Sequence, residues 1–329
     1  MRIGVFCSGG DAPGMNACVR AVVRTAVAAG HEVIGICDGY SGLLERRLHK
    51  DGEGGCTMGL RTVSGWTKLG GTLLKTSRCE AFRTDSGQIE AARILRDLRI
   101  DALIPIGGDG TFRGAMALAR HWNGQIVGCP GTIDNDLCGT DATIGFSTAV
   151  QTAVEAVDKI RDTAESHRRM FLIEVMGRHS GFIAVHTAIA AGAEIVCIPE
   201  LDRTPDALLE QLAELERRGK TSVMAVIAEG DQFGGAQKLD ELLQARSCPF
   251  STRVAVLGHL QRGGAPNVED RILASHLGAG AVAAILRGKT GVMAGRRDDT
   301  CVLTPFEETV ASHKPIPPEL LELINTMAN

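Results

Sequence analysis

Aromatic residues are scarce in this sequence: tyrosine occurs once, tryptophan twice and phenylalanine nine times in 329 residues. Set against 40 glycines, that balance suits tight turns between parallel strands. It suits a β-sandwich, or a platform on which bases stack, far less well. Surplus positive charge is also absent. A net charge of −4 and a pI near 6.2 give no footprint for nucleic acid, so any basic patch is local. No apolar run approaches the roughly 18 residues of a membrane span, and the opening MRIGVFCSGG has one charge and too short an apolar stretch for a signal sequence. We therefore expect no membrane association and a cytoplasmic location. The 10 cysteines are scattered singly, without a CxxC pair or a His/Cys cluster at zinc spacing. Neither a disulfide framework nor a structural metal is encoded, and the thiols are expected to be buried in a reducing compartment.

What is present is ordinary globular material, 44% hydrophobic and 22% charged, in a chain long enough for two lobes. Short apolar runs alternate with helical patterns. Strands are expected at Ile3–Cys7, Glu32–Ile36, Ala102–Ile106, Gln125–Cys129, Met170–Val175, Ala193–Ile198, Ser222–Ala228 and Arg253–Leu257. Helices are expected at Met15–Ala29, Gly87–Leu98, Phe112–His121, Ser147–Thr163, Gly181–Ala191, Pro205–Arg217, Gln237–Arg246 and Glu269–Leu286. This βαβ rhythm predicts an α/β fold: two Rossmann-like lobes with mainly parallel sheets sandwiched by helices. No linker divides the halves, so the lobes are expected to interleave. Periodicity assigns nothing firm to 51–67 or to the tail after Gly288.

Three loops after expected strand ends carry chemistry, since open parallel sheets place ligands there. In CSGGDAPGMN, Cys7 to Asn16, Gly9 and Gly10 allow backbone N–H groups to face an anion ahead of a helix N-terminus. In IGGDGT, Ile106 to Thr111, the glycines make a similar cradle, and Asp109 implies a cation between carboxylate and phosphate; Mg²⁺ is the usual one. In PGTIDNDL, Asp134 and Asp136 lie two apart beside Thr132, a pairing suited to taking a proton from an alcohol and orienting it. Neither the dinucleotide fingerprint nor a P-loop fits: Gly114 follows Gly110 at the wrong spacing, and both GKT triplets have Glu214 or Ala283 where the leading glycine belongs.

Taken together and in order, SGGDAPGMNA, IGGDGT, GTIDND, EVMGRHSG and VLGHLQRGG resemble the bacterial 6-phosphofructokinases from about Arg2 to Leu286. The GGDGT element alone is shared with NAD, diacylglycerol and sphingosine kinases. The resemblance implies transfer of the ATP γ-phosphoryl group to the 1-hydroxyl of fructose 6-phosphate, with Mg²⁺ as cofactor. By similarity, Asp134 is the base, with Asp136, Thr132 and Arg178 as its partners in catalysis. Gly9, Gly10, Arg78, Cys79, Gly108, Gly110 and Thr111 line the nucleotide, and Asp109 holds the metal. Thr132, Ile133, Asp134, Arg169, Met176, Gly177, Arg178, Glu229, Arg253, His259 and Arg262 bind the sugar phosphate; forked guanidinium groups match phosphate as lysine does not. Arg169 and Arg253 are implied to reach in from a neighbouring subunit, which implies an oligomer, with a tetramer expected. Arg20, Arg24, Arg161, Glu194, Arg218 and Lys220 match an effector pocket for ADP or phosphoenolpyruvate, although Ser222 replaces a histidine often found there.

The lobes implied are 1–145 with 261–305 for nucleotide and 146–260 with 306–329 for sugar phosphate. Glycine at 110 and 131 favours ATP over pyrophosphate, because pyrophosphate users carry Asp and Lys there and glycine leaves the α-phosphate space open. Lys75, where many relatives have glycine, is a departure. The competing readings are a pyrophosphate-dependent enzyme of the same fold and a nucleotide-sensing protein without turnover.

Overall fold

A computed structural model describes residues 1–50 and 54–327. The remaining residues, which include part of the unassigned 51–67 segment and the end of the expected second lobe, lie outside the described residues. In chain order the strands are β1 (Arg2–Cys7), β2 (Glu32–Gly35), β3 (Ala102–Gly107), β4 (Gln125–Pro130), β5 (Arg169–Val175), β6 (Ile195–Cys197), β7 (Val223–Ala228), β8 (Ser251–Val256), β9 (Val292–Arg297) and β10 (Thr300–Pro305). The α-helices are α1 (Met15–Ala28), α2 (Gly39–Leu44), α3 (Asp85–Asp97), α4 (Asp109–Ala119), α5 (Phe146–His167), α6 (Phe182–Ala191), α7 (Pro205–Arg217), α8 (Ala236–Ala245), α9 (Val268–Leu286), α10 (Phe306–Ala311) and α11 (Pro318–Met327). All eight expected strands form. Helices α2, α10 and α11 and the β9–β10 hairpin were not expected; α2 and α10 are six residues each, and such elements and an edge hairpin carry too few periods to stand out from loop sequence, while ten-residue α11 lies in the tail to which periodicity assigned nothing firm.

The chain forms two compact units. The first comprises Met1–Ile133, Leu137–Ser147 and Arg262–His313, and the second Asp134–Asp136, Thr148–Gln261 and Lys314–Asn329. In the first, a six-stranded sheet runs β10-β9-β4-β3-β1-β2. Its strands are parallel except for β10, which returns antiparallel to β9. Every residue of β3 is buried, as expected where helices cover both faces of a parallel sheet. The expected boundary at 305/306 moves: α10 belongs to the first unit, because Phe306 is buried there with its ring stacked on Phe112 at 5.1 Å. Asp134–Asp136 group with the second unit, although the chain enters and leaves them from the first.

The second unit contains a four-stranded parallel sheet, β6-β7-β5-β8. Leu208, Leu212 and Leu215 of α7 and Leu239 and Leu243 of α8 pack with β5 and β7. The α7 start follows from its chemistry: Thr204 accepts the Ala207 N–H at 3.2 Å, and Pro205 occupies the first helical position. Among the described residues no helix is long and apolar enough to cross a membrane.

Candidate active site

In the first unit, neighbouring strands β1, β3 and β4 each end in a glycine-bearing loop. Ser8 N–H donates to the carbonyl of Ile106 at 2.9 Å, and Gly131 N–H donates to that of Gly107 at 3.0 Å. Thr111 donates its hydroxyl to the Ser8 carbonyl at 3.2 Å. Gly107 is glycine for want of space, since a Cβ would strike both Thr111 Oγ1 and the Ser8 carbonyl oxygen. Gly9 is left-handed at φ +86, and its carbonyl accepts the Thr76 hydroxyl at 2.8 Å. The loops are thus one knitted set rather than three loose turns.

Helix α4 begins at Asp109, three residues ahead of the expected Phe112, with Gly108 as an extended N-cap. Asp109 therefore stands at the positive end of a helix dipole with its carboxylate partly exposed, 4.0 Å from Arg113 Nε. An added Cβ at Gly110 would meet no atom within 4 Å. Gly131 differs. A Cβ there would press on the Met15 methyl at 2.8 Å and on Ile106 at 3.0 Å. The expectation of open space at both positions holds for Gly110 only; at 131 glycine is required by apolar packing. Lys75 is left-handed at φ +60, a backbone state in which glycine is the easier residue. Arg78 is exposed, while Cys79 is half-buried against the core of this unit.

Arg262 belongs to the first unit, inside the 261–305 stretch expected there, whereas Gln261 falls in the second; the Arg262 guanidinium donates to the Asp11 carbonyl at 2.9 Å. The other clamp residues, Arg169, Met176, Gly177, Arg178, Glu229, Arg253 and His259, belong to the second, as do Asp134 and Asp136.

Within the second unit the MGR turn is tightly specified. Arg178 is left-handed at φ +56, and its N–H donates to the Glu229 carboxylate at 2.7 Å. Gly230 leaves room for the Arg178 carbonyl oxygen, which a Cβ would strike. Buried Ser180 donates its hydroxyl to the Asp134 carbonyl at 3.0 Å and its N–H to Gly177 at 2.9 Å. Lys314 N–H donates to the Asp136 carbonyl at 2.9 Å. Asp134 is buried, whereas Arg178, Glu229, Arg253 and His259 are exposed and Arg169 is half-buried. Arg253 lies on β8, the edge strand.

Of the expected effector residues, Glu194 is buried and gathers Lys220 Nζ at 2.8 Å, Arg161 Nη1 at 3.7 Å and the Met224 N–H at 2.8 Å. Arg218 pairs instead with Glu214 at 2.6 Å. Arg20 and Arg24 lie on α1 of the first unit, and the other four belong to the second. The expectation of buried thiols holds for Cys7, Cys18, Cys129 and Cys197, whereas the other six cysteines are partly exposed; burial pushes Cys7 and Cys197 up to about 12, far from the thiolate range a nucleophile needs.

Several supporting residues escaped sequence reading. The Asn16 side chain, fully buried, donates to the carbonyls of Leu69, Gly70 and Gly71 at 3.0–3.1 Å and accepts the Leu73 N–H at 2.8 Å, tying α1 to the segment that leads to Arg78. The lone Tyr40 donates to the Thr111 carbonyl at 2.8 Å, and burial raises its hydroxyl well above the usual tyrosine range. Gln261 accepts the Met176 N–H at 2.8 Å. Asn16 and Gln261 stand inside the quoted motifs, so their types were visible; their partners, dozens of residues away, were not.

Comparison with known proteins gives the same picture. The family model described as Phosphofructokinase matches residues 2–285. The chain is 50% identical over 327 residues to ATP-dependent 6-phosphofructokinase 1 of Thermus thermophilus, covering 99% of both chains. It is 44% identical over 326 residues to ATP-dependent 6-phosphofructokinase 2 of Bacteroides thetaiotaomicron, covering 99% of this chain and 98% of that one. Among solved structures, Pichia pastoris phosphofructokinase in the T-state superposes with a TM-score of 0.86 at 35% identity; 94% of this chain is covered, and it spans 35% of the yeast chain. A pyrophosphate-dependent phosphofructokinase from Marinobacter aquaeolei, 23% identical with a TM-score of 0.83 over 97% of this chain and 86% of that chain, shares the fold. A full-length family match, half-identical relatives and the knitted glycine loops all lead to one statement: the chain belongs to the phosphofructokinase family.

Proposed function

We propose that this protein is a glycolytic, cytoplasmic ATP-dependent 6-phosphofructokinase, moving the γ-phosphoryl group of ATP to the 1-hydroxyl of fructose 6-phosphate. The observation that carries the reading is the knitted set of loops after β1, β3 and β4, with Asp109 at the start of α4 and the GTIDND segment continuing from the third loop. Gly9, Gly10, Gly108, Gly110 and Thr111 offer the phosphates backbone N–H groups, a hydroxyl and the positive end of α4, with Arg78 and Cys79 alongside. The open space at Gly110 and the partly exposed carboxylate beside it suit a hydrated Mg²⁺, for which Asp109 is the ligand. Bound there, the ion would supply positive charge to offset that of the phosphates.

Asp134 takes the proton from the sugar hydroxyl. A carboxylate with a reference pKa of about 3.9 is a weak base toward an alcohol. Phosphoryl transfer has a loose transition state, however, so that proton moves late and positioning dominates. Thr132 and Asp136 orient the hydroxyl, and Arg178 stabilises the transferring charge, its left-handed backbone held by Glu229. Ile133, Arg169, Met176, Gly177, Glu229, Arg253, His259 and Arg262 complete the sugar-phosphate site.

Arg169 and Arg253 act on a neighbouring subunit within a homotetramer. Edge strand β8, with Val256 and then Leu260 exposed at 58% and 70%, supports that assembly. Arg161, Glu194 and Lys220, with Arg20, Arg24 and Arg218, serve an ADP or phosphoenolpyruvate effector.

A coupled assay comparing ATP with pyrophosphate tests donor choice; faster turnover with pyrophosphate overturns it. For Asp134→Ser we expect nucleotide affinity to hold while turnover falls by about 10²–10⁴, the usual worth of a general base. A nucleotide-binding protein with no turnover in the unmutated chain would instead be a sensor.

A further inference from the structure

The guanidinium of Arg262 lies against the first glycine loop. An added Cβ at Gly10 would sit 2.5 Å from Nη1, 3.1 Å from Cζ and 3.3 Å from Nη2. The same Nη1 donates to the Asp11 carbonyl at 2.9 Å. Gly10 is not among the left-handed glycines, so its backbone alone does not require glycine; a side chain there would instead displace the guanidinium. Thr76 donates to the neighbouring Gly9 carbonyl at 2.8 Å. Two side chains thus hold the turn on either side of Gly10 in sequence. Because each peptide is planar, fixing the Gly9 and Asp11 carbonyls also fixes the directions of the Gly10 and Ala12 N–H groups.

We propose that Arg262 is a positioning residue of the nucleotide loop, holding the turn at Gly10–Asp11 so that the loop is set to meet a nucleoside triphosphate before any sugar phosphate is bound. This goes beyond the sugar-phosphate role given above and rests on that reading in one respect, that the glycine loop takes phosphate. An arginine suits the task because its rigid, multi-donor fork can keep one nitrogen on the Asp11 carbonyl while the group fills the space beside Gly10; a lysine ammonium is a compact point charge on a flexible stem.

The test is binding of the β,γ-methylene analogue of ATP with Mg²⁺, titrated calorimetrically without sugar phosphate, to the full-length protein and to Arg262→Ala, Gly10→Ala and the double variant. A residue serving the sugar alone leaves these affinities unchanged. We expect Arg262→Ala to weaken analogue binding by about 10-fold, the scale of one charge-assisted hydrogen bond. Gly10→Ala, whose methyl displaces the guanidinium, is expected to weaken it similarly, and the double variant to be no worse than either single one, since the two changes break one contact. Thermal unfolding of the ligand-free proteins reads the same contact independently: Gly10→Ala should lower Tm in the parent and not in the Arg262→Ala background. Unchanged analogue affinity in Arg262→Ala, or additive losses in the double variant, overturns the proposal. Failure of the unmutated protein to bind the analogue overturns the functional reading and this inference with it.

Discussion

Gly110 and Gly131 show how two identical residues can be glycine for different reasons. At 131 the cause is packing: Met15 and Ile106 already occupy the space a side chain would need. At 110 the space is open, and the constraint comes from what must approach. Gly110→Asp would add a carboxylate next to Asp109 in the first turn of α4, where the helix dipole tolerates it, so the fold should persist. The added charge faces incoming phosphates. We expect the KM for ATP to rise at least about 10-fold, equivalent to about 1.4 kcal/mol, with Tm little changed; an unaltered KM for ATP would remove Gly110 from donor selection. Residue type was legible at both positions, whereas the difference between them required neighbours from α1 and β3.

At the scale of elements, two helix starts differ from expectation because local hydrogen bonds, rather than apolar periodicity, set them. Helix α4 starts at Asp109 because Gly108 accepts the N–H groups of Thr111 and Phe112, whereas apolar periodicity begins only at Phe112. Helix α8 starts under comparable control. Its N-cap Gly235 donates to buried Asp231 at 3.0 Å, and the next N–H, of Ala236, to Glu174 at 2.7 Å. Burial raises the Asp231 carboxyl, while N–H donors from Gly235, Phe233 and Gly234 pull the other way and only partly offset it. The sign follows directly. With its folded value above the unfolded one, the native state holds this proton more tightly, so the group's contribution to stability is lost as pH rises from the unfolded carboxylate value toward the folded one. Asp231→Asn keeps an acceptor for Gly235 and cannot titrate. Its Tm relative to the parent should therefore climb between about pH 4 and neutrality; a pH-independent difference would show that burial does not control this group.

At the scale of the whole molecule, the order of motifs in the chain does not reveal which compact unit each will join. Asp134–Asp136 leave the first unit's β4 loop and join the second, and Gln261 and Arg262, adjacent in one motif, fall in different units. The proposed tetramer draws on β8, an edge strand whose Val256 is exposed and is followed, just beyond the strand, by exposed Leu260. Val256→Asp should lower the mass seen by sedimentation and raise the KM for fructose 6-phosphate, because Arg253 on the same strand would no longer be delivered to a neighbour. A tetramer of unchanged mass would place the interface elsewhere.

Strand positions, the α/β class and the residues of the glycine and Asp loops were determined by the sequence itself, because apolar periodicity, glycine and paired carboxylates act locally. The β9–β10 hairpin, the membership of α10, the grip of Asn16 on 69–73 and the seat of Arg262 on Gly10 were decided only by tertiary structure. Each depends on contact between segments far apart in the chain, and the energy of such a contact belongs to neither segment alone.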